Sequence, residues 1–158
     1  MNREQFIKHV ESNQRAVRRF LTALCCGDSS LADDLAQDTF VKAYLSCDGF
    51  RAESSFSTWI YRIAYNTFVS SSRSKKLTAP IDEASELSSP ERADGRFDYQ
   101  DLYAALGKLS GKERSALLLH YMQGYAVDEI AEITESKRDA VKQQLSRGRQ
   151  HLKSLLTE

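Results

Sequence analysis

Proline and glycine are scarce in this chain, two and seven among 158 residues. Residues that break helices or force tight turns are therefore few. Long helical patterns fill the intervals, and the expected fold class is all-α. No apolar run is long enough to cross a bilayer, and the N-terminus lacks the apolar stretch of a signal peptide. A cytoplasmic protein without membrane insertion is expected. Cysteine is limited to Cys25, Cys26 and Cys47. That odd number fits no zinc spacing and has no histidine near it in sequence, so buried or half-buried thiols are expected. The three histidines, His9, His120 and His151, fall on different helical segments with no nucleophile or metal pattern around them. The chain therefore offers no catalytic residue, metal site or cofactor site.

Net charge is lacking too. The whole chain sums to zero, so bulk charge points to no nucleic-acid partner. Its distribution does. Residues 1–77 hold 11 Lys and Arg against 8 Asp and Glu, a net +3, and residues 78–97 hold 2 against 5, a net −3. Residues 98–158 balance at 9 against 9, yet 137–153 within them hold 6 against 1, a net +5. Basic helix ends flank an acidic middle. The segment 78–97 also contains both prolines and few large apolar residues. It reads as a flexible or extended linker between two helical units, 1–77 and 98–158.

Helical spacing of Phe6, Ile7, Val10, Val17, Phe20, Leu21 and Leu24 predicts a first helix over 3–25 with these side chains in the core. Gly27 and Asp28 end it, and Asp28 or Ser30 can cap the next helix, 30–46. In that second helix Leu35, Ala36, Thr39, Phe40 and Ala43 form the face for burial. Asp34, Gln37, Asp38, Val41 and Leu45 gather opposite. Apolar side chains on an otherwise acidic exposed face fit a protein-binding surface; scattered surface apolars fit the same pattern. A loop follows over 47–57. Phe50 and Phe56 anchor its ends in the core, and Arg51, Glu53, Ser54 and Ser55 form its exposed middle.

From Trp59 the helical phase is informative. Trp59, Arg62, Asn66, Ser70 and Arg73, at spacings of three, four, four and three, share one stripe. Ile60, Ile63, Ala64 and Thr67 share another about a quarter turn away, the one a core would take. The first stripe suits stacking on bases, reading base edges and holding phosphates. An amphipathic helix with a solvated basic end, Lys75 and Lys76 included, answers the same pattern.

The second unit opens with a helix at about 98–107. Ser110 and Glu113 then form a capping box for a helix that carries Ala116, Leu117, Leu119 and Met122 and stops at Gly124. A short helix over 127–134 turns Ile130, Ala131 and Ile133 inward. A turn at Glu135-Ser136 leads into a long basic helix, 137–155, with Val141, Leu145, Leu152 and Leu155 facing the core and Ser136 as candidate cap. Lys142, Gln143, Ser146, Arg147 and Arg149 are expected in solvent. Short helix, tight turn and longer basic helix make a helix-turn-helix pattern, in which Lys, Arg and Gln suit phosphates, guanine and adenine. A plain helical hairpin is the alternative for this segment.

Taken together, four motifs resemble those of the bacterial extracytoplasmic function (ECF) sigma factors, compact members of the sigma-70 family. They are DDLAQDTFVKAY at 33–44, FRAESSFSTWIYRIAYN at 50–66, LSGKERSALLLHYMQGYAVDEIAEI at 109–133 and AVKQQLSRGR at 140–149. The resemblance spans nearly the whole chain. It implies two small helical domains, a sigma domain 2-like bundle and a sigma domain 4-like helix-turn-helix, joined by a flexible linker. Asp34, Gln37, Asp38 and Val41 then correspond to the helix that docks on the coiled coil of the largest polymerase subunit. Ser54, Ser55 and Phe56 correspond to the loop that receives a base flipped from the −10 element. Trp59, Arg62, Asn66 and Arg73 correspond to the helix that holds melted DNA. Lys142, Gln143, Gln144, Ser146 and Arg147 correspond to the readers of the −35 element. The implied partners are core RNA polymerase and promoter DNA, with an anti-sigma factor usual in the family. Four positions depart from the pattern: Ser70, where an acidic residue is frequent; Glu135, where the turn often has glycine; Lys137-Arg138-Asp139, where small residues usually start the recognition helix; and Gln143-Gln144, where Ser-Arg is frequent. The last leaves the −35 sequence preference open. A stand-alone helix-turn-helix regulator and a two-domain helical adaptor are the competing readings. The first has no use for the acidic face or the Trp59 stripe.

Overall fold

Seven α-helices account for nearly all of the residues described by the computed structural model: 1–50, 55–78 and 97–157, with the backbone alone for 74–78 and 97–99. Most of the expected linker, together with Arg51, Glu53 and Ser54, lies outside the described residues. The helices are α1 (Arg3–Leu24), α2 (Ser29–Ser46), α3 (Phe56–Thr78), α4 (Phe97–Gly107), α5 (Gly111–Leu117), α6 (Val127–Thr134) and α7 (Arg138–Leu156). No strand occurs among the described residues.

Local chemistry sets most boundaries. Asn2 and Gln5 cap α1 reciprocally, each side chain bonding the other's backbone N–H at 2.9 and 3.1 Å. Asp28 accepts from the Leu31 N–H to start α2. Ser110 accepts from the Glu113 N–H at 3.1 Å, the box expected from the sequence. α1 ends where Gly27 turns to φ +92°, and a Cβ there would lie 2.9 Å from the Tyr103 ring. Only glycine meets both demands.

The structure corrects four expectations. Ser136 does not cap α7. Lys137 occupies the cap position without a side-chain bond, and the Ser136 hydroxyl pairs with Thr134 instead. Leu155 lies in the last turn and is exposed, and Leu152 is only half-buried. Ile7, expected in the core, is 45% exposed. The helix begun at Ser110 is α-helical only to Leu117 and continues as a π-turn, Leu118–Met122.

α1, α2 and α3 pack together, with Val17, Phe20, Leu21, Leu24, Leu35, Ala36 and Ile60 sealed between them. α4 to α7 form the second unit around Ala116, Leu119, Ile130, Ile133 and Val141. The α5–α7 approach depends on Gly148, where a Cβ would sit 2.9 Å from Leu117 Cδ1 and 3.1 Å from its Cγ. Helix propensity favours alanine by about 1 kcal/mol, whereas overpacking costs about 1–3 kcal/mol. Leu117 is itself buried, so the clash wins. Gly148→Ala is expected to lower the midpoint of thermal unfolding by about 2–4 °C. An unchanged or raised midpoint in calorimetry would show that Leu117 has room to move.

The two units are not independent bodies. Their buried residues form one continuous cluster, and α3 packs on α6. Arg114 braces the junction: its guanidinium donates to the carbonyls of Leu106 (2.9 Å), Leu109 (3.2 Å) and, across the junction, Leu24 (2.9 Å). Close by, burial pushes the Cys26 thiol above its ordinary range, partly opposed by Arg114. This disfavours the reactive thiolate.

Candidate nucleic-acid interface

Two faces stand out. The first is on α2. Leu35, Ala36, Thr39 and Ala43 are buried, with Phe40 half-buried, so the opposite face is set by helical phase. There Asp34, Gln37 and Asp38 are exposed beside Val41 (57% exposed) and Leu45 (76%). Tyr44 is exposed as well, and its ring meets Phe6 of α1 at 5.6 Å, which extends the face toward α1. Three large apolar groups left in water on one helix exceed ordinary scatter. Asp33 pairs with Arg18 at 3.2 Å, whereas among the described residues the side chains of Asp34 and Asp38 make no ion pair. Their charge is available to a partner.

The second face is the α3 stripe. Trp59 and Arg62 are half-buried, and Asn66, Ser70 and Arg73 are exposed. Ile60, Ala64 and Thr67 are buried as the helical phase requires, with Ile63 half-buried. At the start of α3, Ser55 has its hydroxyl accepting from the Thr58 N–H at 3.1 Å, which caps the helix. Phe56, expected both as a core anchor and as a base contact, is 6% exposed. Its ring packs among Phe6, His9, Phe50 and Trp59, with His9 stacked on it at 4.7 Å. In the structure Phe56 holds the helix start and packs against Trp59, 5.5 Å between ring centroids. Ser54 lies outside the described residues.

Tyr61, Tyr65 and Phe68 are also buried on α3, a third stripe that periodicity did not single out. Tyr61 packs edge-on against Phe20 at 5.2 Å and Tyr125 at 5.7 Å. Its hydroxyl donates to Gln123 Oε1 at 2.8 Å, and the Tyr125 hydroxyl donates to Ser57 Oγ at 2.9 Å. Burial raises the phenols of Tyr61, Tyr65 and Tyr125 above the ordinary tyrosine range of about 10. The folded chain thus holds these protons longer than the unfolded chain. Their stabilisation is complete below pH about 10 and is lost as pH rises toward the folded values. Phenolate absorbance at 295 nm from these tyrosines is expected to appear together with loss of helical circular dichroism above pH 10. Smooth ionisation near pH 10 with helicity intact would contradict their burial.

On α7, Lys142, Gln143, Ser146 and Arg147 are exposed and Gln144 is half-buried, with Val141, Leu145 and Gly148 buried opposite. Four of these five expected readers thus lie off the buried face, and Gln144 sits at its edge. Arg149, also exposed, bonds the Tyr121 hydroxyl at 3.1 Å. The helix-turn-helix turn carries a feature that the sequence registered only as a departure. Glu135 is left-handed, φ +55°, and its Oε2 accepts from Arg62 Nη2 at 2.8 Å and Nε at 3.2 Å. Among the described residues no cluster of His, Cys, Asp or Glu could hold a metal, and no helix is long and apolar enough to cross a membrane.

Two stretches of the chain match family models. Residues 9–78 match the model of sigma-70 region 2, and residues 99–152 match that of sigma-70 region 4. The ECF RNA polymerase sigma factor SigW of Bacillus subtilis is 32% identical over 148 residues, covering 84% of this chain and 79% of the relative. The RNA polymerase sigma factor YlaC of the same organism is 36% identical over 136 residues, covering 80% and 78%. Among solved structures, the sigma factor RpoE of Bartonella quintana, in complex with the anti-sigma factor NepR, aligns over 98% of both chains. Its TM-score is 0.84 and its identity 27%.

Proposed function

The chain belongs to the ECF sigma factors of the sigma-70 family, and on that footing we propose which of its surfaces do the family's work. It is a transcription initiation factor that binds core RNA polymerase and directs it to promoter DNA. Residues 1–77 are read as the unit that docks on polymerase and handles the −10 element, 98–158 as the unit that reads the −35 element, and 78–97 as the link between them. Asp34, Gln37, Asp38 and Val41 form the docking contact. Ser54, Ser55 and Phe56 form the base-capture loop, with Phe56 anchored in the core. Trp59, Arg62, Asn66 and Arg73 hold the melted strand. Lys142, Gln143, Gln144, Ser146 and Arg147 face the −35 major groove.

The observation that carries the docking assignment is the α2 face, where Val41, Tyr44 and Leu45 stay in water beside two aspartates that make no ion pair among the described residues. A stand-alone regulator leaves that face without a use. No catalytic group is called for, since polymerase performs the chemistry and this chain supplies binding energy for the open DNA. Unstacking a base costs a few kcal/mol, and stacking on aromatic side chains returns about 1–3 kcal/mol per base. Phosphate contacts make the binding salt-dependent. The place of action is the cytoplasm, where polymerase works. An anti-sigma factor is the natural restraint, in line with the complex in which the Bartonella relative was solved.

Run-off transcription with purified core polymerase on genomic fragments tests this reading. Discrete transcripts that appear only when this chain is added support it, and identical transcript patterns with and without the chain would end it.

A further inference from the structure

Tyr121 is 63% exposed, yet its ring is held in place. It stands in the π-turn that ends the Ser110 helix, where the Gln123 N–H reaches back five residues to the Leu118 carbonyl at 3.2 Å. Turns of this kind are rare and concentrate at functional sites. The His120 ring meets Tyr121 edge-on, 4.7 Å between centroids. His120 is fixed in turn. Its Nδ1 lies 2.9 Å from the Tyr125 carbonyl, which can only accept, so Nδ1 carries a hydrogen. The Tyr121 hydroxyl accepts from Arg149 Nη1 at 3.1 Å and keeps its own hydrogen for another acceptor. Holding two long exposed side chains in one geometry costs entropy, and neither side chain belongs to the buried cluster.

The place of Arg149 on α7 says what the pair can meet. Gln143, Arg147 and Gln150 lie opposite the buried Val141, Leu145 and Gly148. Lys142, Ser146, Arg149 and Lys153, at spacings of four, three and four, share a stripe about midway between those two sides. With α7 in a major groove, the opposite side meets base edges and such a flank meets the phosphate wall. Arg149 makes no ion pair among the described residues. One of its N–H groups is taken by Tyr121, and the others remain for a phosphate. We propose that Tyr121 and Arg149 together clamp one backbone phosphate of the promoter duplex beside the −35 groove, a contact that sets the register of α7 and selects no base. Tyr121 aims the guanidinium and donates its hydroxyl hydrogen to the same phosphate. The proposal rests on the −35 role assigned to α7.

The test uses polymerase loaded with the full chain and a promoter fragment recovered by run-off transcription, with binding measured over a range of salt. Arg149→Ala is expected to weaken binding to all promoter sequences alike and to lower the slope of log affinity against log salt by about 1. Tyr121→Phe is expected to weaken binding by about two- to tenfold and to leave the slope in place, because the hydroxyl is neutral. Methylphosphonates, which remove the charge of one phosphate at a time, then locate the contact. One position along the −35 element is expected to weaken the wild type, to weaken Tyr121→Phe less, and to leave Arg149→Ala unaffected. An unchanged slope in Arg149→Ala overturns the clamp, and so does a methylphosphonate profile the same as that of the wild type. Discrimination lost at a single base pair in Arg149→Ala also overturns it, since Arg149 would then be a base reader. Gln143→Ala with Arg147→Ala separates this proposal from the role of α7. If that variant binds altered −35 sequences as the wild type does, the −35 assignment fails and the clamp with it. If it loses discrimination while Arg149→Ala keeps the wild-type slope, the clamp alone fails.

Discussion

Reversing two charges on α2, Asp34→Lys with Asp38→Lys, is expected to abolish co-purification of the chain with core RNA polymerase and to leave its thermal unfolding unchanged. Both aspartates are exposed, on the side of the helix away from Leu35, Ala36 and Ala43. Neither makes an ion pair among the described residues, so nothing internal depends on their sign. Surface substitutions of this kind shift stability by about 0.5 kcal/mol or less. At the docked interface the account differs. A charge that meets its complement and is partly desolvated there costs about 2–5 kcal/mol to lose, and reversal adds repulsion. Two reversals weaken binding by about a thousandfold or more, at 1.4 kcal/mol per decade. Val41 and Leu45 remain to be buried and cannot offset that loss. Retained co-purification with a normal melting curve would move the docking surface elsewhere on the chain.

The sequence made legible whatever is decided within one helix. Asp28 and the Ser110–Glu113 box lie beside the backbone groups they satisfy, so the starts of α2 and α5 follow from spacing alone. The buried face of α2 and the two stripes of α3 follow from the helical period. What stayed hidden depends on partners far away in the chain. Tyr61 and Gln123 are 62 positions apart, and Arg62 and Glu135 are 73. No periodicity encodes such a meeting. α3 is apolar on more than one side because α2 covers one side and α6 another, and a search for a single amphipathic face misses Tyr61 and Tyr65. Gly148 was invisible for the same reason: its use is the side chain of Leu117 on another helix. The place of Phe56 as a core anchor was legible from its position at the loop end, but the partners on its ring, Phe6, His9, Phe50 and Trp59, were not.

Replacing Trp59 and Arg62 with alanine is expected to block open-complex formation while core binding persists. The expected readout is loss of permanganate reactivity at promoter thymines, with normal co-purification with polymerase. Trp59 rests on Phe50 and Phe56, at 5.1 and 5.5 Å between ring centroids, and is only half-buried, so one face of a preplaced ring remains for a base. Removing it forfeits about 1–3 kcal/mol of stacking. Loss of Arg62 removes a charged contact to the strand as well. Together the population of open DNA falls by about 10- to 100-fold, at 1.4 kcal/mol per decade. Trp59→Ala also strips a neighbour from Phe56, so a folding defect could imitate the result. Arg62→Ala alone avoids this, because its side chain is 41% exposed and its partner Glu135 is 56% exposed. That single variant deletes the strand contact of Arg62 without touching the core, and reduced permanganate reactivity is expected from it alone. Wild-type melting by Arg62→Ala and by the double variant would place the strand-holding surface on another face of the chain.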